Sequence, residues 1–284
     1  MLTVGVDAPS PLAPCFDLVV TADELPRVRA AFERSPRASV AAALLVRTPP
    51  PDIWTGLVAE SATYSALQAG PEFIAWRRGR PVHPPSPHDD APRVRLSDRD
   101  GVLEIVLTRP FKHNALDRRM RDELFEALTA ARARDRGAVV LRADGPSFCS
   151  GGDLDEFGSF PDPATAHVIR LSRSPAWRCA QLSERLVVGI HGACLGAGTE
   201  LPAFAARVVA ADDARIGLPE LGLGLVPGAG GTVSIPRRSS SSRLLDDGTI
   251  DAPTAHEWGI VDEVVPRSSL EDRLFEIAAT MESK

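Results

Sequence analysis

Two carboxylates, Glu200 and Glu220, sit among residues too small to fill the space around them. They belong to the stretch 188–232, VGIHGACLGAGTELPAFAARVVAADDARIGLPELGLGLVPGAGGT. Small residues let a backbone approach a ligand closely, and the free N–H groups that open a helix attract negative charge. A carboxylate held in such a pocket is a candidate acid or base with a raised pKa. The elements around them must hold both groups at one site. The apolar run 186–190 predicts a buried strand, the small residues 192–198 a tight loop, and the following segment a helix carrying Glu200. Two more short apolar runs and the glycine-rich PGAGG close the stretch.

Other chemistries find little support. The glycine clusters fit neither a dinucleotide fingerprint nor GxxxxGK[ST], and no GxSxG elbow occurs. The six histidines lack metal-ligand spacing, so no metal is expected. Cys149 reads as a small buried filler. The formal charge of −6 argues against a nucleic-acid surface. The longest apolar run, 40–46, is too short to cross a bilayer, and no secretory signal opens the chain. Four cysteines without a CxxC pair point to a reducing cytoplasm.

The chain divides into an N-terminal extension (1–92), a core (93–266) and a short C-terminal helix (267–284). In the extension, 16–20 reads as a strand, 22–34 as a helix, and 39–47 as either an apolar strand or a buried helix. Residues 57–78 have helical spacing broken at Gly70-Pro71, which predicts two helices, and the proline-rich 80–92 reads as a linker. In the core, 102–107 and 138–141 read as strands. Asp117 is placed to cap a helix with Met120, Leu124, Leu128 and Ala131 on one face. Residues 165–182 read as helical with a break near Pro175. Strands alternating with helices indicate an α/β fold.

Four segments occur in order: RPFKHNAL (109–116), SFCSGGDL (147–154), the stretch 188–232, and EWGIVDEVV (257–265). Together they resemble the enoyl-CoA hydratase/isomerase (crotonase) family, over about residues 94–266. The resemblance implies a spiral of β-β-α turns, two roughly perpendicular sheets wrapped by helices. It also implies an enolate oxyanion hole made by the N–H groups of Gly152 and Ala197. Glu200 and Glu220 match the positions of the family's hydratase glutamates. Adding water to a double bond needs a base for the water and an acid for the α carbon. Glu200 is assigned to the water and Glu220 to the α proton, with shared or reversed roles left open. Gly228 would border the water. His113, Ala115, Asp153 and Leu154 would line the coenzyme A path, with Lys112 near a phosphate.

The expected substrate is an acyl-CoA, with coenzyme A as part of the substrate and no other cofactor. The expected assembly is a trimer or hexamer. Isomerisation, other chemistry at the same oxyanion hole, a binding-only role and a specialised biosynthetic enzyme stay open.

Two departures stand out. Four serines at 239–242 suit a packed helix poorly, so the site's wall there is expected to be open or mobile. The segment after 266 is shorter than the family's helical tail. Residues 57–82 resemble such a tail and are expected to take its place in this chain or a neighbour, the alternative being an accessory helical domain.

Overall fold

A computed structural model describes residues 2–81, 83, 90–159, 162–239 and 248–282. In the extension, β1 (Val4–Val6) pairs in parallel with β2 (Leu18–Val20). Four helices follow: α1 (Leu25–Arg34), α2 (Pro36–Arg47), α3 (Ile53–Gln68) and α4 (Pro71–Arg78). The ambiguous apolar run at 39–47 is therefore helical. Pro36 opens α2, and Ala38, Ser39, Ala42 and Ala43 form its buried face. The break at Gly70-Pro71 separates α3 from α4 as expected. Ala38, Ala42, Tyr64 and Phe73 share one apolar cluster with Leu221, Leu225 and Val226, so these helices are built into the core.

The core opens with an antiparallel hairpin, β3 (Val94–Arg99) and β4 (Val102–Leu107), followed by α5 (Arg118–Ala133) and β5 (Val139–Ala143). The Asp117 side chain accepts from the Met120 N–H at 2.7 Å, and the expected face of α5 is buried. Next come α6 (Pro163–Ser172), α7 (Pro175–Gln181), β6 (Leu186–Ile190) and β7 (Ala193–Leu195), with the helical break at Pro175. The chain continues through α8 (Ala197–Glu200), β8 (Arg207–Ala211), β9 (Arg215–Gly217) and α9 (Gly231–Arg238). It finishes with β10 (Thr249–Asp251), α10 (Ala252–Glu257), β11 (Glu263–Val265) and α11 (Leu270–Glu282).

Six strands make the larger sheet in the order β11-β8-β6-β5-β4-β3, parallel except at the β3–β4 hairpin. Its inner strands are apolar on both faces because both are covered. Val102, Val140, Val187 and Val209 face Leu270, Leu274 and Ala278 of α11. The alternate residues, including Leu103, Leu141 and Val188, face the main core. The smaller sheet is β10-β9-β7. From β6 the chain turns into β7 at Gly192, whose φ is 54° and where a Cβ would fall 2.0 Å from the Pro146 carbonyl oxygen. β8 and β9 repeat this passage between sheets, which gives the chain its α/β spiral. Of the serine run, Ser239 ends α9, its hydroxyl donating to the Trp258 carbonyl. The expectation for 240–242 lies outside the described residues.

Candidate active site

The sheet crossings bring two loops edge to edge. Cys149 bridges Cys194, and Leu116 bridges Gly152, extending the smaller layer across the 149–152 loop. Gly151 then lies so close to the next loop that a Cβ on it would fall 3.1 Å from the Leu195 carbonyl oxygen. Leu116 N–H donates to Gly151 O, and Asp153 N–H to Leu116 O. That pattern leaves the Gly152 N–H unused by the bridge. Ala197 is the first residue of α8, where an N–H has no partner within the helix. Among the described residues, no hydrogen bond uses either N–H. Both residues line one cavity, together with Glu200, Glu220 and Gly228. Since α8 is a single turn, it contributes local N–H groups.

Three buried carboxylates meet at this cavity: Glu60, Glu200 and Glu220. Glu220 lies in the short helical turn Pro219–Leu223. A Cβ at Gly196 would fall 2.3 Å from Glu220 Oε1, so only glycine lets that carboxylate rest against the 192–198 loop. Glu200 Oε2 accepts from the N–H groups of Ala229 (2.6 Å) and Gly231 (2.8 Å). Glu60, from α3, takes the alternate amides of the same loop. Its Oε1 accepts from Gly230 N–H (2.7 Å), and its Oε2 from Thr232 N–H (2.8 Å) and the Thr232 hydroxyl (2.6 Å). The PGAGGT loop is thus gripped by two carboxylates on successive amides.

Burial raises Glu200 well above the usual carboxylate range, and the negative charges of Glu220 and Glu60 raise it further against two N–H donors. Burial likewise raises Glu60 to about 7, while Thr232, Gly230 and the charge of Arg170 pull it back. The Thr232 hydroxyl serves both states, donating to an ionised Glu60 and accepting from a protonated one. A carboxylate raised in the folded chain holds extra protons there between its unfolded and folded pKa. Its stabilising contribution is complete below about pH 4.5 and is lost as pH rises through about 7. The expected result is a fall in unfolding free energy on the order of a few kcal/mol over that window, with a shallower slope in Glu60→Gln. Denaturant titrations at several pH values measure both.

The other expected residues separate into two groups. Asp153 lines the cavity, but its carboxylate accepts from Arg109 Nη1 at 2.7 Å, in a buried cluster with Asp117. Its side chain anchors the loop. His113, Ala115 and Leu154 do not line the cavity. His113 has φ 50° and meets Ser147 Oγ through Nδ1 at 2.9 Å, while the Ala115 carbonyl accepts from Arg109 Nη1. Lys112 pairs with Asp155 at 3.1 Å. Cys149 is buried and its thiol is pushed up to about 12, in keeping with a filler.

Sequence reasoning singled out segment 57–82 but none of its residues as part of the site. Leu57, Glu60, Ser61 and Tyr64 all line the cavity, and a Cβ at Gly228 would fall 2.6 Å from the Tyr64 ring. One signal was available: Glu60 is the only charged residue between Asp52 and Glu72. Of the tail-like segment 57–82, residues 57–68 lie on α3 against this cavity. No helix among the described residues is long and apolar enough to cross a membrane.

Comparison with known proteins agrees with this architecture. The enoyl-CoA hydratase/isomerase family profile matches residues 97–284. The 2,3-dehydroadipyl-CoA hydratase of Escherichia coli (strain K12) is 32% identical over 192 residues, covering 66% of this chain and 74% of its own. The carnitinyl-CoA dehydratase of Proteus mirabilis (strain HI4320) is 32% identical over 195 residues, covering 65% and 72%. The crystal structure of enoyl-CoA hydratase from Bacillus anthracis superposes with a TM-score of 0.62 at 32% identity, covering 68% of this chain and 77% of that one. Glu60 and Tyr64 precede the matched segment. With two-thirds of its length matched and the sheet crossings, paired loops and buried glutamates in place, the chain belongs to the enoyl-CoA hydratase/isomerase family.

Proposed function

We propose that the protein is an enoyl-CoA hydratase, adding water reversibly across the double bond of a 2-enoyl-CoA thioester. The observation that carries this reading is the pair of buried carboxylates, Glu200 and Glu220, in one cavity with two N–H groups on adjacent loops that no hydrogen bond among the described residues uses. The thioester oxygen accepts from the Gly152 and Ala197 N–H groups, which stabilise the enolate as charge develops. Ionised Glu200, oriented by Ala229 and Gly231, takes a proton from a water beside Gly228, and the resulting hydroxide adds to the β carbon. Glu220 then delivers its proton to the α carbon. Water's proton stays on Glu200 until the two carboxyls re-equilibrate through solvent. Coenzyme A enters only as part of the substrate, and the thioester itself is the electron sink, so the reaction calls for no metal or redox group.

In the same reading, α3 substitutes for the family's longer C-terminal tail as a wall of the acyl pocket. The protein works in the reducing cytoplasm as a homo-oligomer, a trimer or hexamer. The test is the absorbance of the conjugated enoyl thioester, followed with crotonyl-CoA and with a longer 2-enoyl-CoA. Loss of the band with wild type, and not with Glu200→Gln or Glu220→Gln, supports the assignment. An unchanged band with acyl-CoA bound rejects it.

A further inference from the structure

The cavity wall carries four arginines, and one differs from the rest. Arg118 lies 3.6 Å from Glu156, Arg121 lies 2.8 Å from Asp122, and Arg173 pairs with Glu126. Arg170, on α6, has no carboxylate at ion-pair distance among the described residues. Its Nη1 donates to Ser61 O (3.2 Å), Ser61 Oγ (2.9 Å) and Ser65 Oγ (3.1 Å), and its guanidinium lies 4.3 Å from the Tyr64 ring centroid. Nε and Nη2 make no hydrogen bond among those residues. Glu60 acts on Arg170 only by charge, since both its oxygens are taken by Gly230 and Thr232. A guanidinium keeps its charge in such surroundings, and a half-buried charge without a counterion is costly unless an anion completes it.

Tyr64 joins this group to the catalytic loop. Its ring packs on Gly228, and its hydroxyl makes no hydrogen bond among the described residues. The side chains of Leu57, Leu201, Ala166 and Ala176 supply apolar wall in the same cavity. Tyr64 thus touches both Gly228 and Arg170, and an acyl chain in this cavity that runs along Tyr64 away from Gly228 meets the guanidinium. A short anionic chain would end among the carboxyl groups of Glu60, Glu200 and Glu220, whereas one that reaches Arg170 meets a fork of donors.

We propose that this site takes acyl-CoA thioesters whose acyl chain ends in a carboxylate, held by Arg170 Nε and Nη2 with the Tyr64 hydroxyl. The inference rests on the enoyl-CoA reading of the cavity. It is tested by calorimetric binding of saturated thioesters, which do not turn over: succinyl-, glutaryl-, adipyl- and suberyl-CoA against butyryl-, valeryl-, hexanoyl- and octanoyl-CoA. One or more carboxylated chains is expected to bind roughly 10- to 100-fold tighter than its neutral counterpart. Arg170→Gln brings that ratio close to one, and Arg170→Lys, which keeps the charge but not the fork, gives an intermediate ratio even if the glutamine variant unfolds. Neutral chains binding as well as every carboxylated one would overturn this proposal alone. So would an Arg170→Gln variant that loses affinity for free coenzyme A to the same degree, since Arg170 would then hold a phosphate. No binding of any thioester would overturn the enoyl-CoA reading as well.

Discussion

Glu200→Gln is expected to lower kcat for hydration by ~10²–10⁴-fold while leaving the fold intact. Both loop amides that hold Glu200, from Ala229 and Gly231, donate to the same oxygen, Oε2. A glutamine carbonyl oxygen can accept both, so the PGAGGT loop keeps its anchor and only the carboxylate proposed as the base is lost. Removing one of three clustered negative charges also relieves repulsion, so the variant unfolds no earlier than wild type at alkaline pH. The sign of the wild-type pH profile follows from the same cluster. With Glu200 raised by burial and by its two acidic neighbours, its base form grows as pH rises, so kcat/KM climbs on the acid limb and falls again where Glu220 loses the proton it donates. Steady-state rates across pH, alongside thermal unfolding of both proteins, check each part. A variant that unfolds early would mean that the loop depends on the charge of Glu200 rather than on its oxygen.

Ala197→Pro is the second large effect. Ala197 opens α8, the helical position where proline is best tolerated because its N–H has no partner within the helix. The preceding residue, Gly196, has φ 51° and ψ −120°, the mirror image of the extended conformation that residues before proline favour and one open to glycine. The substitution therefore removes the N–H proposed as one oxyanion donor, with little cost to the backbone. A loss of ~10²–10³ in kcat is expected, with the ring also crowding the thioester oxygen. Ala197→Gly, which keeps the N–H, is the control and is expected to retain most activity. Equal losses in the two variants would show that the N–H is not what the reaction uses.

Much of the core was legible in the residues themselves. The inner strands β4, β5, β6 and β8 are near-continuous apolar runs because both sheet faces are covered, and such runs show in any window. Glu200 and Glu220 stood out because glycine and alanine surround them, and the contacts at Gly196 and Gly231 show why nothing larger fits. β3 was missed because four of its six residues are exposed, so VRLSDR has little apolar signal. β10 is three residues long and needs β9 to exist. The run at 39–47 was ambiguous because a short apolar segment suits either period, and its buried face decides for the helix only after folding. Glu60 was hidden for a different reason. Its partners Gly230 and Thr232 lie 170 and 172 residues away, and a lone glutamate on a helix ordinarily reads as a solvated position. The places of His113 and Ala115 were less legible, since they are fixed by Ser147 and Arg109 contacts that local sequence does not encode.

The central claim, that Glu200 and Glu220 together add water across an enoyl thioester, is tested most directly by turnover in heavy-oxygen water with mass analysis of the products. The expected product is a 3-hydroxyacyl-CoA carrying the label on its β carbon, formed by wild type and lost in Glu200→Gln and Glu220→Gln alike. A product that has moved its double bond without gaining labelled oxygen, with either glutamate dispensable, would contradict it.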